Sequence, residues 1–328
     1  MIDLQRRRLL GCTLAAALLP TAGSALAADK WPSRPIKWVL PYLAGTGPDL
    51  TARMLAEAVS PLLGQPVIID NKGGVGGNLG ARLAAKAAPD GYTWVYSAAP
   101  MAANMRMYKE PGYDALKDFH HIMRLTTSDI VLIVQPNSGI SSLEELGARM
   151  RAQPGKLNYA SGGVGTPSHL GVELLSSAMK VDATHVPYKG ASELVNAVLG
   201  SQVDFGMPIF TVAYPQIKSG KLKALAVAGP IRNPLLPDVP TLAELGVRGV
   251  ELTSWGGVSV PAATPSTVVA RIQSAFEQAL SQPALRSMLE ANGGNVRPSA
   301  SSQDYVRGFV KEIELTEAMM KKAQLSPL

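Results

Sequence analysis

Short apolar runs alternate along this chain with longer stretches in which apolar residues recur at helical spacing. The first kind reads as strands and the second as helices. Ile36 to Leu40, bounded by Pro35 and Pro41, is a strand that feeds a Gly-Thr-Gly-Pro turn, after which Ala52, Leu55, Ala56 and Val59 mark one face of a helix. Val67 to Ile69 is a second strand, Asp70 to Gly77 a loop, and Asn78 to Ala88 an alanine-rich helix stopped by Pro89-Asp90-Gly91. Thr93 to Ser97 is a third strand. Further units run from Ile130 to Val134, through a capping box at Ser141 and Glu144, to a strand at Leu157 to Ala160. Strands follow at Ala183 to Val186, Val203 to Gly206 and Ala224 to Val227. Helices are predicted from Thr264-Pro265 to about Leu280, from Pro283 to Ala291, and from about Ser302 to Lys322. Strands alternating with helices predict an α/β protein whose parallel sheets are covered on both faces and take ligands at the carboxyl ends of their strands.

Two apolar strands, Ile130 to Val134 and Trp255 to Val260, read as crossings between domains. The block after the second has few strands of its own and most economically completes the first domain. The expected division is a discontinuous domain of residues 28–127 and 256–328, with residues 128–255 inserted as the second domain. No internal repeat or low-complexity segment interrupts it.

Met1 to Ala27 has the three parts of an export signal: Arg6-Arg7-Arg8, an apolar run from Leu9 to Leu19, and the small-residue site Ala25-Leu26-Ala27. Cleavage after Ala27 is expected, with general secretion favoured and the Arg6-Arg7 pair leaving twin-arginine export open. Cys12 is the single cysteine and falls within that segment, so the mature chain has no disulfide and no thiol ligand for a metal. The formal charge of +6 drops to +4 once three arginines and Asp3 leave with the signal. Without basic runs interleaved with aromatics, this mild charge argues against nucleic acid as a partner.

The stretch Tyr159-Ala160-Ser161-Gly162-Gly163-Val164-Gly165-Thr166-Pro167-Ser168-His169-Leu170 carries the clearest chemistry. Its glycines let consecutive amides converge, and Thr166-Pro167 reads as an N-cap with proline in the first helical position. A helix N-terminus reached in this way suits a carboxylate or phosphate. Asn71 to Gly80 lies where a dinucleotide fingerprint would, but Gly74, Gly76 and Gly80 miss the G-x-G-x-x-G spacing, so it reads as a tight packing turn. His120, His121, His169 and His185 show no metal-ligand spacing. No G-x-S-x-G elbow is present, yet Ser161 or Ser168 with His169 or His185 as base stays open as an exported hydrolase.

Taken together, several motifs are similar to those of the Bug family of solute-binding proteins, the extracytoplasmic receptors of tripartite tricarboxylate transporters. They are Trp31 to Ile36, Asn71 to Gly80, Ala87 to Thr93, Tyr113 to Phe119, Pro154 to Ser161, Gly165 to Leu170, His185 to Gly190 and Leu236 to Thr241. The resemblance implies a type II periplasmic-binding-protein fold, two α/β lobes around a ligand cleft. It also implies a small carboxylate held largely by main-chain amides, delivery to a membrane permease, a monomer, no cofactor and no enzymatic activity. The family's first-lobe loop maps onto Pro41 to Asp49, where Leu43-Ala44 replaces the usual prolines and Thr46 interrupts the usual paired glycines. The candidate ligand contacts are Tyr42, Ala44, Gly45, Thr46, Asp49 and Ser97 in the first lobe, with Asp49 expected to cap its helix. Those in the second lobe are Ser161, Gly163, Thr166, His169 and Asp204, the last expected at a strand end facing the cleft. A receptor that signals to a membrane sensor is the remaining alternative.

Overall fold

The computed structural model describes residues 31–322 and 326–328. The export signal expected at Met1 to Ala27, and Cys12 with it, lies outside the described residues. In chain order the first elements are β1 (Ile36–Leu40), α1 (Gly47–Leu63), β2 (Val67–Asn71), α2 (Asn78–Ala85), β3 (Thr93–Ala98), α3 (Ala99–Met107) and β4 (Phe119–Asp129). There follow β5 (Val131–Val134), α4 (Leu143–Ala152), β6 (Asn158–Ser161), α5 (Pro167–Met179), β7 (Thr184–Pro187), α6 (Ala191–Leu199), β8 (Phe205–Gly206), α7 (Phe210–Lys218) and β9 (Lys223–Val227). The chain closes with β10 (Thr253–Pro261), α8 (Ser266–Ser281), α9 (Pro283–Ala291), β11 (Asn295–Val296) and α10 (Ser302–Lys322).

These strands form two sheets, one ordered β11-β4-β10-β3-β1-β2 and the other β7-β6-β8-β5-β9. The sheets are mixed, which corrects the all-parallel expectation. β1 pairs in parallel with β2 and β3, and β6 with β7 and β8, but β10 runs antiparallel to β3 and β4, and β5 antiparallel to β8 and β9. The reversal has a topological cause. β4 leaves the first sheet at Asp129 and β5 enters the second at Val131, while β10 returns beside β4 with Thr253 opposite Asp129.

Each sheet has its own apolar packing. In the first, Trp38 of β1 and Trp94 of β3 are fully buried and meet Phe276 of α8, with ring centroids 5.4 Å and 5.7 Å from it. In the second, Leu132, Val134, Tyr159 and Phe205 pack beneath α4 and α5, while Ile133, Ala160 and Val131 face α6 and α7. A helix on each side of a strand explains why β5 reads as an uninterrupted apolar run: both of its faces are interior.

The N-terminus of α4 differs by one residue from the expected box. Ser142 accepts the Glu145 amide at 3.1 Å, and the Glu145 carboxylate reaches back to the Ser141 amide and hydroxyl. The box therefore uses Ser142 and Glu145. α2 also stops at Ala85, three residues short of the expected end at Ala88 and four before Pro89.

Candidate functional site

The carboxyl ends of β1, β2 and β3 in one sheet and of β6, β7 and β8 in the other open onto a shared cavity of about 660 Å³, counted out to its mouth. Pro41, Tyr42, Leu43, Thr46 and Pro48 come from the loop after β1, and Gly73, Gly74, Gly76 and Gly77 from the loop after β2. Gly162, Thr166, Pro167 and Ser168 face them from the loop after β6, Lys189 and Gly190 from that after β7, and Ile209 from that after β8. The two sides approach closely elsewhere: a Cβ on Gly47 would collide with Thr211 of α7, and one on Gly165 would stand 2.7 Å from Met107 of α3.

The loop from Ser161 to Thr166 is held by its own hydrogen bonds. Gly163 has φ +116° and Gly165 φ +80°, conformations that a side chain would strain. Ser161 accepts the Gly163 amide at 3.1 Å, and Ser168 Oγ accepts the Gly162 amide at 2.9 Å. His169 Nδ1 accepts the Gly165 amide at 3.2 Å. Thr166 occupies the N-cap position of α5 with Pro167 following, as the sequence predicts, but its hydroxyl does not cap the helix. It donates to the Gly163 carbonyl at 2.7 Å and pairs with Ser168 Oγ at 2.9 Å. The hydroxyl thus fastens the loop, and the first-turn amides of Ser168 and His169, which have no carbonyl available within the helix, are left for another acceptor. The first turn of α5 carries no acidic residue.

Beneath this loop, Tyr159, His185 and His169 form a stack, with His169 and His185 centroids 4.2 Å apart. Burial pushes both imidazoles down to about 4, and His169 adds to the effect on His185. Both are therefore neutral at pH 7. Ser161 Oγ lies 2.6 Å from His185 Nε2. That is the spacing of a nucleophile and its base, but Ser161 is fully buried and a base with a pKa of about 4 is poorly matched to removing a hydroxyl proton at neutral pH.

Of the other expected contacts, Tyr42 and Thr46 line the cavity, and Ala44 and Gly45 lie on the exposed outer side of the same loop. Asp49 is buried and accepts the Gly45 amide at 2.8 Å, while Arg53 and Asn71 donate to it. Burial opposes its ionisation, yet the bonds from Arg53, Gly45 and Asn71 prevail and lower its pKa. It braces the loop ahead of α1 and is not among the residues lining the cavity. Two expectations need correction. Ser97 lies in the interior between β3 and α10, where Ser259 donates to it at 2.6 Å and Tyr305 stands 2.9 Å away. Asp204 lies at the amino end of the parallel pair β6 and β8, accepting the Asn158 amide at 2.7 Å. A strand of that length separates it by roughly 10 Å from the loop at the carboxyl end.

The sequence reading also missed wall residues. Gly73, Gly74, Gly76 and Gly77 were expected only to pack a helix, and Ser168, Lys189 and Ile209 were not candidate contacts. Position after a parallel strand was the available signal for the glycines. Among the described residues lining the cavity, Lys189 is the one charged side chain. No group of three His, Cys, Asp or Glu among the described residues is placed to hold a metal ion.

A family profile described as "Tripartite tricarboxylate transporter family receptor" matches residues 51–325. Among curated relatives, the UPF0065 protein in the gbd 5' region of Cupriavidus necator is 36% identical over 305 residues, covering 91% of this chain and 90% of that protein. Protein BugT of Bordetella pertussis is 32% identical over 298 residues, covering 90% and 91%. Among solved structures, an adipate-bound R. palustris protein has a TM-score of 0.87 at 31% identity, covering 91% of this chain and all of that one. The periplasmic binding protein BugD gives 0.86 at 32%, covering 91% of this chain and 100% of BugD. MatC from Rhodopseudomonas palustris with bound malate gives 0.82 at 31%, covering 88% and 99%.

Proposed function

The chain belongs to the family of tripartite tricarboxylate transporter receptors, periplasmic solute-binding proteins with two α/β lobes around a cleft, and we propose that it captures a small carboxylate in that cleft and delivers it to a membrane permease. The observation that carries this reading is the α5 N-terminus. Its first-turn amides and the positive end of the helix dipole face a cavity between two sheets, with no capping side chain and no acidic residue in the way. The adipate and malate held by two solved relatives are both carboxylates, which supports the same ligand class here.

In this reading the lobes are residues 28–127 with 256–328 and residues 128–255, and they close about the strands that join the two sheets. Export and removal of the segment to Ala27 deliver the protein to the periplasm, where it acts as a monomer. Thr46 and Tyr42 contact the ligand from one lobe; Thr166, Ser168 and the loop shaped by Ser161, Gly163 and His169 contact it from the other. Closure strengthens each amide contact by removing competing water. The chain is a receptor and not a hydrolase, since its serine and histidine pair is closed off and serves to hold the loop.

Calorimetry and thermal unfolding of the mature protein against a panel of carboxylates test this. One or more should raise the thermal midpoint in a concentration-dependent way, by RT ln(1 + [L]/Kd), and be recovered chemically unchanged. Turnover of the stabilising compound, or stabilisation by phosphate esters alone, would defeat the proposal.

A further inference from the structure

At three places beside the cavity, a glycine attached to one sheet leaves no room for a side chain against the other. From this we infer that Gly47 and Thr211 are positioning residues: the empty space at Gly47 sets how far the lobes close, and with it the affinity for every carboxylate the cavity takes. The inference rests on the two-lobe reading above and adds to it what stops the closure. Gly47 opens α1, after β1 of the first sheet, and a Cβ there would collide with Thr211 of α7 in the second. A Cβ on Gly293, between α9 and β11, would stand 2.5 Å from the Phe210 ring, and one on Gly165, in the loop after β6, 2.7 Å from Met107 of α3. Gly47 lies between the cavity residues Thr46 and Pro48, Phe210 follows Ile209, and Gly165 precedes Thr166, so all three contacts border the cavity.

Backbone conformation does not account for all three glycines. Gly165 has φ +80° and Gly293 φ +82°, which glycine adopts without strain, so space and conformation cannot be separated there. Gly47 is different. It is the first residue of a regular helix and has no positive φ, a position that alanine fills at least as well. What it provides is room. Its Cβ would lie 3.0 Å from Thr211 Cβ and 3.1 Å from Val212 Cγ2, where carbon atoms settle at about 3.5 to 4.0 Å. Rotating Thr211 about χ1 moves its hydroxyl away but not its Cβ, which the α7 backbone fixes. The lobes would have to stand apart by roughly 0.5 to 1 Å at this point. A carboxylate held between the α5 amides and the loop after β1 would then be stretched, because hydrogen bonds to it fall outside the range of about 2.7 to 3.2 Å.

Calorimetry and small-angle scattering of the mature protein with adipate, malate, hexanoate and benzoate test it, using Gly47→Ala, Gly47→Val and the double variant Gly47→Ala with Thr211→Gly. Wild type should compact on binding. Gly47→Ala should weaken every carboxylate that binds by the same factor, about tenfold, and Gly47→Val by more, with the saturated proteins progressively less compact. Adding Thr211→Gly to Gly47→Ala should restore both affinity and compaction, which a general loss of stability would not allow. The ligand-free variants should unfold within a few degrees of wild type. Equal affinity in all the proteins, or a loss that Thr211→Gly leaves in place, overturns the inference while the carboxylate reading stands. A wild type that binds without compacting overturns the closure on which the inference rests, and one that binds none of the four overturns the carboxylate reading itself.

Discussion

Gly163→Val should weaken carboxylate binding by tenfold or more while leaving the fold intact. Gly163 adopts φ +116°, where a β-branched side chain costs about 1 to 3 kcal/mol. The strain falls on a short loop whose amide and carbonyl are both engaged, the first by Ser161 Oγ and the second by Thr166 Oγ1. Relief by rotating the backbone would break those bonds and turn the neighbouring amides away from the cavity. The remainder of the second sheet is packed through Tyr159, Leu175 and Phe205, none of which depends on the loop, so unfolding should remain cooperative with a midpoint only a few degrees lower. Thr166→Ala is the gentler companion. It removes the hydroxyl bridge from Gly163 to Ser168, with a net effect of about 1 kcal/mol shared between stability and affinity. Normal binding by Gly163→Val would put the anion elsewhere in the cavity and remove this loop from the site.

The second large effect is loss of stability in acid. Burial holds His121, His169 and His185 each at about 4, well below the ordinary imidazole value. The unfolded chain therefore takes up protons as pH falls through about 6.5, while the folded chain resists until near 4. The neutral imidazoles cost nothing above that window, and stability drops within it. Two carboxyls act the other way. Burial raises Glu312 to about 7 despite a hydrogen bond from Trp255, and raises Asp129, so the folded form holds these protons more tightly and gains as pH falls. Three histidines outweigh them, and the net loss between pH 6.5 and pH 4 should be on the order of 3 to 5 kcal/mol. Urea unfolding at intervals across that range measures it. Affinity should hold across most of that interval and fall only near pH 4, where protonating His169 Nδ1 expels the Gly165 amide that it accepts. A stability curve that is flat or rising toward pH 4 would show that the histidine stack is not held neutral.

Much of this architecture could be read from periodicity, and the exceptions have physical causes. β1, α1, β3, α8 and α9 carry clear strand or helix patterns and occur where expected. α3, with the sequence Ala-Pro-Met-Ala-Ala-Asn-Met-Arg-Met, was not recognised because it is buried on nearly every side and so lacks an amphipathic stripe. β4 was missed because His120, His121, Arg124, Thr126 and Thr127 interrupt its apolar pattern. Their partners are supplied by distant segments: His121 by Ser259 and Ala115, Arg124 by the Arg297 carbonyl. The direction of β10 depends on the chain crossing back from the second sheet, a property of topology that no local window contains.

The site was legible where local chemistry builds it. Glycines, Thr166 and Pro167 mark the α5 loop, while Asp49, expected to cap α1, accepts the Gly45 amide ahead of the helix and bonds from Arg53 and Asn71. Distance in space defeated the rest. Ser97 is one residue from the end of the strand that leads to the cavity, but its side chain turns to Ser259 and Tyr305; Asp204 immediately precedes β8, at the end away from the cavity. The glycines from Gly73 to Gly77 were judged against a nucleotide motif, when their place after a parallel strand already put them beside the cavity.

The most direct measurement is a crystal structure of the mature protein with whichever carboxylate stabilises it most. The ligand should lie between the two sheets with a carboxylate oxygen within about 2.7 to 3.2 Å of the Ser168 or His169 amide, its body against Leu43, Pro48 and Ile209. A carboxylate found at another helix end, or outside the cleft altogether, would contradict the account.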